Sequence, residues 1–153
     1  MAEQRTFERM TRETLEEHEQ IHFFLDQLSR ALRETAAVPA DGEPMRRVAA
    51  ELDALAERLR EHFEREEEGG LFHAILDADD SSEGDLRHLE HQHARLLELL
   101  EMARIHAERD EPSDVAPLRE DLEGFLAILR AHECVEEALF RRALGAVDGS
   151  ASR

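Results

Sequence analysis

Glycine and proline are confined to a few short stretches of this chain, and their placement limits the possible folds more than any other feature. Only seven glycines and four prolines occur among 153 residues. All four prolines and four of the glycines fall within 38–44, 69–84 and 112–117. The remaining stretches are rich in Ala, Leu, Glu and Arg, which are good helix formers. We therefore predict four long helical segments: A from about 11 to 37, B from about 44 to 68, C from about 85 to 109, and D from the loop at 111–117 to about 144.

The lengths and apolar faces of these segments predict how they assemble. Helices of about 25 residues are about 37 Å long, and short connections place sequence neighbours antiparallel. Segments B and D each carry an apolar stripe at helical spacing: Val48, Leu52, Leu55 and Leu59 in B, and Leu118, Leu122, Phe125, Ile128 and Leu129 in D. The sequence predicts an all-α fold, an up-down-up-down four-helix bundle. We expect a single domain over 1–153, with a bundle core at about 11–143 and a flexible tail at 145–153.

The charge balance argues against two classes of partner. The chain has 37 acidic and 19 basic residues, a formal net charge of -18, and no basic stripe. Such a chain repels phosphate backbones and anionic membrane surfaces, so neither nucleic acid nor a membrane is expected as a partner. Cys134 is the only cysteine, which excludes an internal disulfide, and the first residues contain no apolar leader. We expect a cytoplasmic location.

The four segments contain two repeated patterns. In A and C, a histidine (His18 and His93) is followed by apolar residues three, six and seven positions later. Segments B and D share the pattern His-x-x-x-Glu: His62 and Glu66 in B, His132 and Glu136 in D. The chain therefore resembles two copies of one helical hairpin. In a bundle with pseudo-two-fold symmetry, equivalent positions of the two hairpins meet around the axis.

The patterned histidines and glutamates all fall on the apolar faces of their segments. Residues four apart on a helix differ by about 40° in direction, so each His-x-x-x-Glu pair shares a face. Two ionised carboxylates in an apolar interior without partners would each cost several kcal/mol, and two so close together could not both stay ionised. A pair of metal cations removes both difficulties. The sequence predicts a dinuclear metal site with six ligands: His18, His62, Glu66, His93, His132 and Glu136.

Each part of this pattern has a simpler interpretation when taken alone. A core-facing histidine is more often structural than a ligand, and a single His-x-x-x-Glu pair is usually solvated. The duplication in matching halves, on apolar faces, favours a metal site. Imidazole suits iron, zinc and copper, and the added carboxylates favour iron or manganese.

The other histidines divide into one candidate ligand and a group expected at the surface. His22 lies one turn after His18, so it could supply a fifth imidazole or could instead pack at the edge of the bundle. Glu67 and Glu137, next to the patterned glutamates, are either solvated or orient the ligands. The remaining histidines are expected at the surface: His73, His88, His91 and His106.

The order H…HxxxE…H…HxxxE over about 11–143 resembles the hemerythrin-like (HHE cation-binding) family. The stretch Glu17–Ile21 and the Leu-Phe pairs at 71–72 and 139–140 add to the likeness. The resemblance implies a carboxylate-bridged centre of two iron ions with an oxo or hydroxo bridge. It implies His18 and His62 on one iron, His93 and His132 on the other, and Glu66 and Glu136 as bridges.

Two positions depart from the oxygen-carrying members of that family. Leu89 stands one turn before His93, where those proteins have a second histidine, and the last motif is HxxxE rather than HxxxxD. The pattern is closer to bacterial hemerythrin-like proteins and to the catalytic domain of repair-of-iron-centres proteins, although we do not expect the small N-terminal domain usual in the latter. Fewer histidine ligands leave more coordination positions open.

Three functions follow from these expectations. The leading one is a non-haem di-iron protein that binds O₂, NO or peroxide for sensing, storage or detoxification. The alternative is a redox enzyme or iron donor at the same ions, acting in peroxide breakdown, NO reduction or cluster repair. A metal-free helical interaction module is the third. The sequence leaves open whether the chain is an enzyme, and it identifies no protein partner.

Overall fold

The computed structural model describes residues 2–37, 43–108 and 116–151. Apart from 68–70 and Asp79 these ranges are helical, and they contain no strand. They hold five α-helices and one short 3-10 turn at Asp80–Ser82: α1 Ala2–Ala37, α2 Glu43–Glu67, α3 Leu71–Ala78, α4 Glu83–Glu108 and α5 Ala116–Ala151. None of the described helices is long and apolar enough to cross a membrane.

The four long helices run antiparallel to their neighbours. Glu34 of α1 pairs with Arg47 near the start of α2, whereas Glu17, earlier in α1, pairs with Arg65 near the end of α2. The other neighbouring helices show the same reversal: Asp53 with Arg104 and Glu66 with His93 for α2 and α4, His106 with Asp121 and Gln92 with His132 for α4 and α5, and Gln4 with Asp148 and His22 with Glu133 for α1 and α5. The predicted up-down-up-down bundle is confirmed.

Two apolar clusters fill the bundle, one on each side of a buried polar layer. The upper core lies towards the end of α1 and the lower core lies around α3. Each fully buried leucine or phenylalanine contributes about 1.5–3 kcal/mol. The upper core includes Ile21, Leu25, Leu52, Leu55, Leu59, Leu96, Leu100 and Phe125. The lower core includes Phe7, Leu71, Phe72, Ile75, Leu86, Leu89, Leu139 and Phe140.

Helices α1 and α5 extend beyond the predicted ends. Helix α1 starts at Ala2 rather than near 11, because Phe7 continues the inward face of the helix and is buried in the lower core. The predicted end near Leu144 is wrong, since α5 continues to Ala151 over most of the segment expected to be a flexible tail. Gly145 lies in this helix without a positive φ, and an exposed helical glycine costs only about 1 kcal/mol relative to alanine.

The short apolar stretch after α2 is a helix of its own. Gly70 adopts φ 99°, the left-handed conformation that favours glycine, and this reverses the chain at the start of α3. Leu71, Phe72 and Ile75 then pack into the lower core. Asp79 accepts hydrogen bonds from the Ser81 backbone N–H and from Arg142, which ties the α3–α4 connection to α5. Helix α3 thus covers the base of the bundle.

Candidate metal centre

All six side chains predicted as ligands meet in the polar layer between the two cores. Each has at most 6% of its surface exposed. The helices place these side chains there because the inward face of each helix continues from its apolar stripe into this layer. In α1, for example, His18 lies between the buried Thr14 and Ile21. The six residues are His18, His62, Glu66, His93, His132 and Glu136.

The six residues form two groups of four that share both carboxylates. One group is His18, His62, Glu66 and Glu136, and the other is Glu66, His93, His132 and Glu136. Within each group, one nitrogen or oxygen atom of every residue lies within 4.8 Å of the others. This grouping is the same as the pairing that the resemblance implied.

Each carboxylate directs one oxygen into each group. Glu66 Oε1 lies 2.6 Å from His62 Nε2, and Glu66 Oε2 lies 3.0 Å from His93 Nε2. Glu136 Oε1 lies 3.2 Å from His18 Nε2, and Glu136 Oε2 lies 3.0 Å from His132 Nε2. Two carboxylates placed in this way could each bridge two cations.

These short distances do not correspond to satisfied hydrogen bonds. None of the four carboxylate oxygens of Glu66 and Glu136 has a hydrogen-bond partner in the described part of the chain, although all are buried. The atoms therefore crowd around a shared space without hydrogen bonds that satisfy them. Leaving such groups unpaired costs several kcal/mol, and cations in that space would satisfy them. The donor set fits a pair of metal ions.

The carboxyl groups show why the metal-free cluster must hold protons. Burial, together with the charge of Glu136, raises the pKa of Glu66 well above its usual range. Burial also opposes ionisation of Glu136, but contacts from His132 and His18 outweigh it and lower the pKa of Glu136. Without metal, therefore, protonation is favoured at Glu66 and ionisation at Glu136.

The pKa values of two of the imidazoles shift in opposite directions. Burial disfavours the charged form of His62, but Glu17 and Glu66 outweigh burial and raise its pKa to about 10. Burial and the neighbouring His132 lower the pKa of His93 to about 3. A cation entering the cluster must displace the proton on His62.

Three of the four cluster histidines have a partner at Nδ1, the nitrogen that faces away from the shared space. The partners are Glu17 for His62 at 2.5 Å, Glu67 for His93 at 2.6 Å and Gln92 for His132 at 3.1 Å. These contacts fix the ring orientation and strengthen the imidazole as a ligand. Of them, the sequence suggested only Glu67, because Glu17 and Gln92 can be assigned only once the register between helices is known.

The structure does not bring the remaining histidines into the cluster. The side chain of His22 is 52% exposed, and its Nε2 lies 2.9 Å from a carboxylate oxygen of Glu133 on α5. The candidate fifth imidazole is thus turned towards the neighbouring helix. His106 is partly buried and pairs with Asp121, in contrast to the predicted surface position. The others are exposed, as predicted: His73, His88 and His91.

Together the fold and the centre define a four-helix-bundle protein with a buried histidine and glutamate site suited to cations. The model of the hemerythrin HHE cation-binding domain matches residues 9–144. The chain belongs to this family. Comparisons with curated proteins and with solved structures find no match.

Proposed function

We propose that the chain is a non-haem di-iron protein that binds O₂, NO or peroxide. His18 and His62 would hold one iron, His93 and His132 would hold the other, and Glu66 and Glu136 would serve both. The observation that carries the proposal is the division of each carboxylate, one oxygen towards each pair of histidines. A metal-free interaction module would leave these four buried oxygens without hydrogen-bond partners in the described part of the chain.

The donor set favours iron or manganese, and we propose iron because the resemblance to hemerythrin-like proteins implies it. Neutral imidazoles together with carboxylates suit iron or manganese better than metals that prefer thiolates, and the only cysteine, Cys134, is exposed. Two imidazoles and two carboxylate oxygens give each ion four protein ligands. Because iron commonly takes six, positions stay open for a small ligand, and bound iron would supply reversible redox chemistry there.

The protein surrounds these positions with apolar side chains. Leu89 is fully buried at the place where a further histidine would be needed to fill a coordination position. The ring of Phe63 stacks on His93 with centroids 3.8 Å apart, and Phe72 lies 5.7 Å from the same imidazole. Such a setting keeps bulk water away from His93 and favours ligands as small as O₂, NO or peroxide. We propose sensing, storage or detoxification as the role, in the cytoplasm.

Metal analysis and spectroscopy test the proposal. The protein reconstituted with Fe(II) under anaerobic conditions should hold two irons per chain, and exposure to O₂, NO and peroxide in turn should change its absorption spectrum. His62→Ala and Glu136→Ala should lower the iron content towards one or zero. His22→Ala is the matched control and should retain both irons. Unchanged iron content in both ligand variants would contradict the assignment.

The same experiment addresses a redox enzyme or iron donor at these ions. Steady consumption of peroxide or NO by the loaded protein, lost in Glu66→Ala, would support an enzyme. A spectral change that reverses when the ligand is removed would support binding alone.

A further inference from the structure

We infer that the two metal positions are unequal, and that the position of His18 and His62 binds its ion more weakly than the position of His93 and His132. The inference deepens the proposed function and rests on it. It concerns Glu17, Glu67 and Gln92, which do not face the shared space but contact the imidazoles that do.

The first difference is the number of contacts that orient the imidazoles. In the position of His93 and His132, both Nδ1 atoms have a partner, Glu67 and Gln92. In the other position, only His62 has one, since neither ring nitrogen of the buried His18 has a hydrogen-bond partner in the described parts of the chain. An imidazole without such a contact is a less basic ligand and is free to rotate away from the ion.

The second difference is whether the carboxylate that contacts the imidazole also pairs with an arginine. The carboxylate of Glu17 is shared, because Oε2 contacts His62 at 2.5 Å and Oε1 contacts Arg65 Nε at 3.0 Å. Glu67 contacts His93 at 2.6 Å and forms no ion pair with an arginine in the described ranges. The guanidinium of Arg65 therefore offsets part of the negative charge that Glu17 places beside His62.

The third difference is access to the surface. A cavity of about 100 Å³ between α1 and the end of α2 is lined by Thr14, Glu17, Arg65 and Glu66. It reaches the shared carboxylate Glu66 beside Glu17, the partner of His62. Next to the other position, the rings of Phe63 and Phe72 cover His93, and a cavity of about 220 Å³ lined by Glu67 and Phe72 includes none of the six cluster residues. Beside the weaker position, therefore, a cavity borders a cluster carboxylate, which favours faster exchange of that ion with solvent.

Equilibrium competition with a ferrous chelator under anaerobic conditions tests the inference on the full chain. The wild-type protein should bind its two irons in two steps whose affinities differ by about tenfold or more, the range expected from contacts to ligating histidines. Three variants assign the steps. Glu17→Gln should weaken the second, weaker step by about tenfold and leave the first unchanged, whereas Glu67→Gln should weaken the first step by a similar factor.

Arg65→Gln should change the weaker step in the opposite direction. Without the guanidinium, Glu17 serves His62 alone, so this step should tighten by about two- to fivefold, the range typical of an exposed ion pair. Arg95→Gln is the matched control, because it also removes an exposed ion pair, that of Arg95 with Glu98 on α4. It should leave both steps unchanged. Circular dichroism checks that each variant keeps its helices.

The outcomes separate this inference from the proposed function. Two irons bound in steps that follow the variant pattern support both. Two irons bound with equal affinity, or a tighter step that responds to Glu17→Gln, would overturn the inequality and leave the di-iron proposal intact. A chain that binds no iron would refute both.

Discussion

Glu66 and Glu136 are equivalent in the sequence repeat, but without metal their pKa values shift in opposite directions. Burial and the charge of Glu136 raise the pKa of Glu66, while contacts from His132 and His18 lower the pKa of Glu136. A glutamine mimics a protonated carboxyl group in shape and charge. The two Glu→Gln substitutions should therefore have different consequences for the metal-free protein.

We expect Glu136→Gln to destabilise the metal-free protein by about 3–5 kcal/mol, because it removes one partner of a buried ionic contact. Glu66→Gln should cost less under the same conditions, because the raised pKa of Glu66 means that its charged form is the less stabilised of the two. Urea unfolding of both variants in the presence of a chelator measures the difference. Equal losses in the two variants would contradict the opposite directions of the two pKa shifts.

His62 predicts a pH dependence of the metal-free protein. Its folded-state pKa of about 10 lies above the unfolded value of about 6.5, so the folded state binds more protons between these values. This contribution to stability is complete below pH 6.5 and is lost as the pH rises to about 10. The thermal midpoint should fall over this window, whereas His62→Gln should flatten the decline. A thermal midpoint that rises with pH in the wild-type protein would contradict the raised pKa of His62.

At the level of the helices, glycine is required at one position and lowers stability at another. Gly70 adopts φ 99°, which strains any side chain. Gly124 lies within α5, where an added Cβ would meet nothing within 4 Å. Glycine in a helix interior lowers stability because the unfolded chain has more freedom to lose.

We expect Gly70→Ala to destabilise the protein by about 1–2 kcal/mol, the cost of a left-handed conformation for a non-glycine residue. Gly124→Ala should stabilise it by about 0.5–1 kcal/mol through helix propensity. Thermal unfolding of the two variants, each of which gains one methyl group, tests the pair. A stabilising Gly70→Ala would show that the turn before α3 does not need glycine.

The sequence was sufficient to predict the helices and their inward faces, but not every helix end or every contact between helices. Apolar spacing and the duplicated His-x-x-x-Glu motif were sufficient for the bundle and for the six clustered side chains, because helical periodicity alone decides which face a residue occupies. The end of α5 was wrong because a glycine such as Gly145 ends a helix only if its φ becomes positive, which the residue type does not reveal. Glu17 and Gln92 were missed because their contacts depend on how far one helix is shifted along the next.

For the whole molecule, the six side chains link all four long helices at one level. Helix α1 contributes His18, α2 contributes His62 and Glu66, α4 contributes His93, and α5 contributes His132 and Glu136. The chain also has a net charge of -18, so self-repulsion favours expansion of the bundle. Cations held in the polar layer would oppose that expansion from within, because each of the four long helices would be attached to them.

Metal removal should therefore lower the stability of the entire bundle rather than that of one helix. At a free metal concentration of 1,000 times the dissociation constant, binding adds about 4 kcal/mol, which for a chain of this size corresponds to a rise of roughly 8–16 °C in the thermal midpoint. Calorimetry of the iron-loaded protein before and after chelation should show this shift within a single transition. Glu136→Ala, which lacks a shared carboxylate and should hold at most one iron, should show a smaller shift on chelation than the wild-type protein. An equal midpoint for loaded and chelated wild-type protein would mean that the helices do not depend on a shared cation centre.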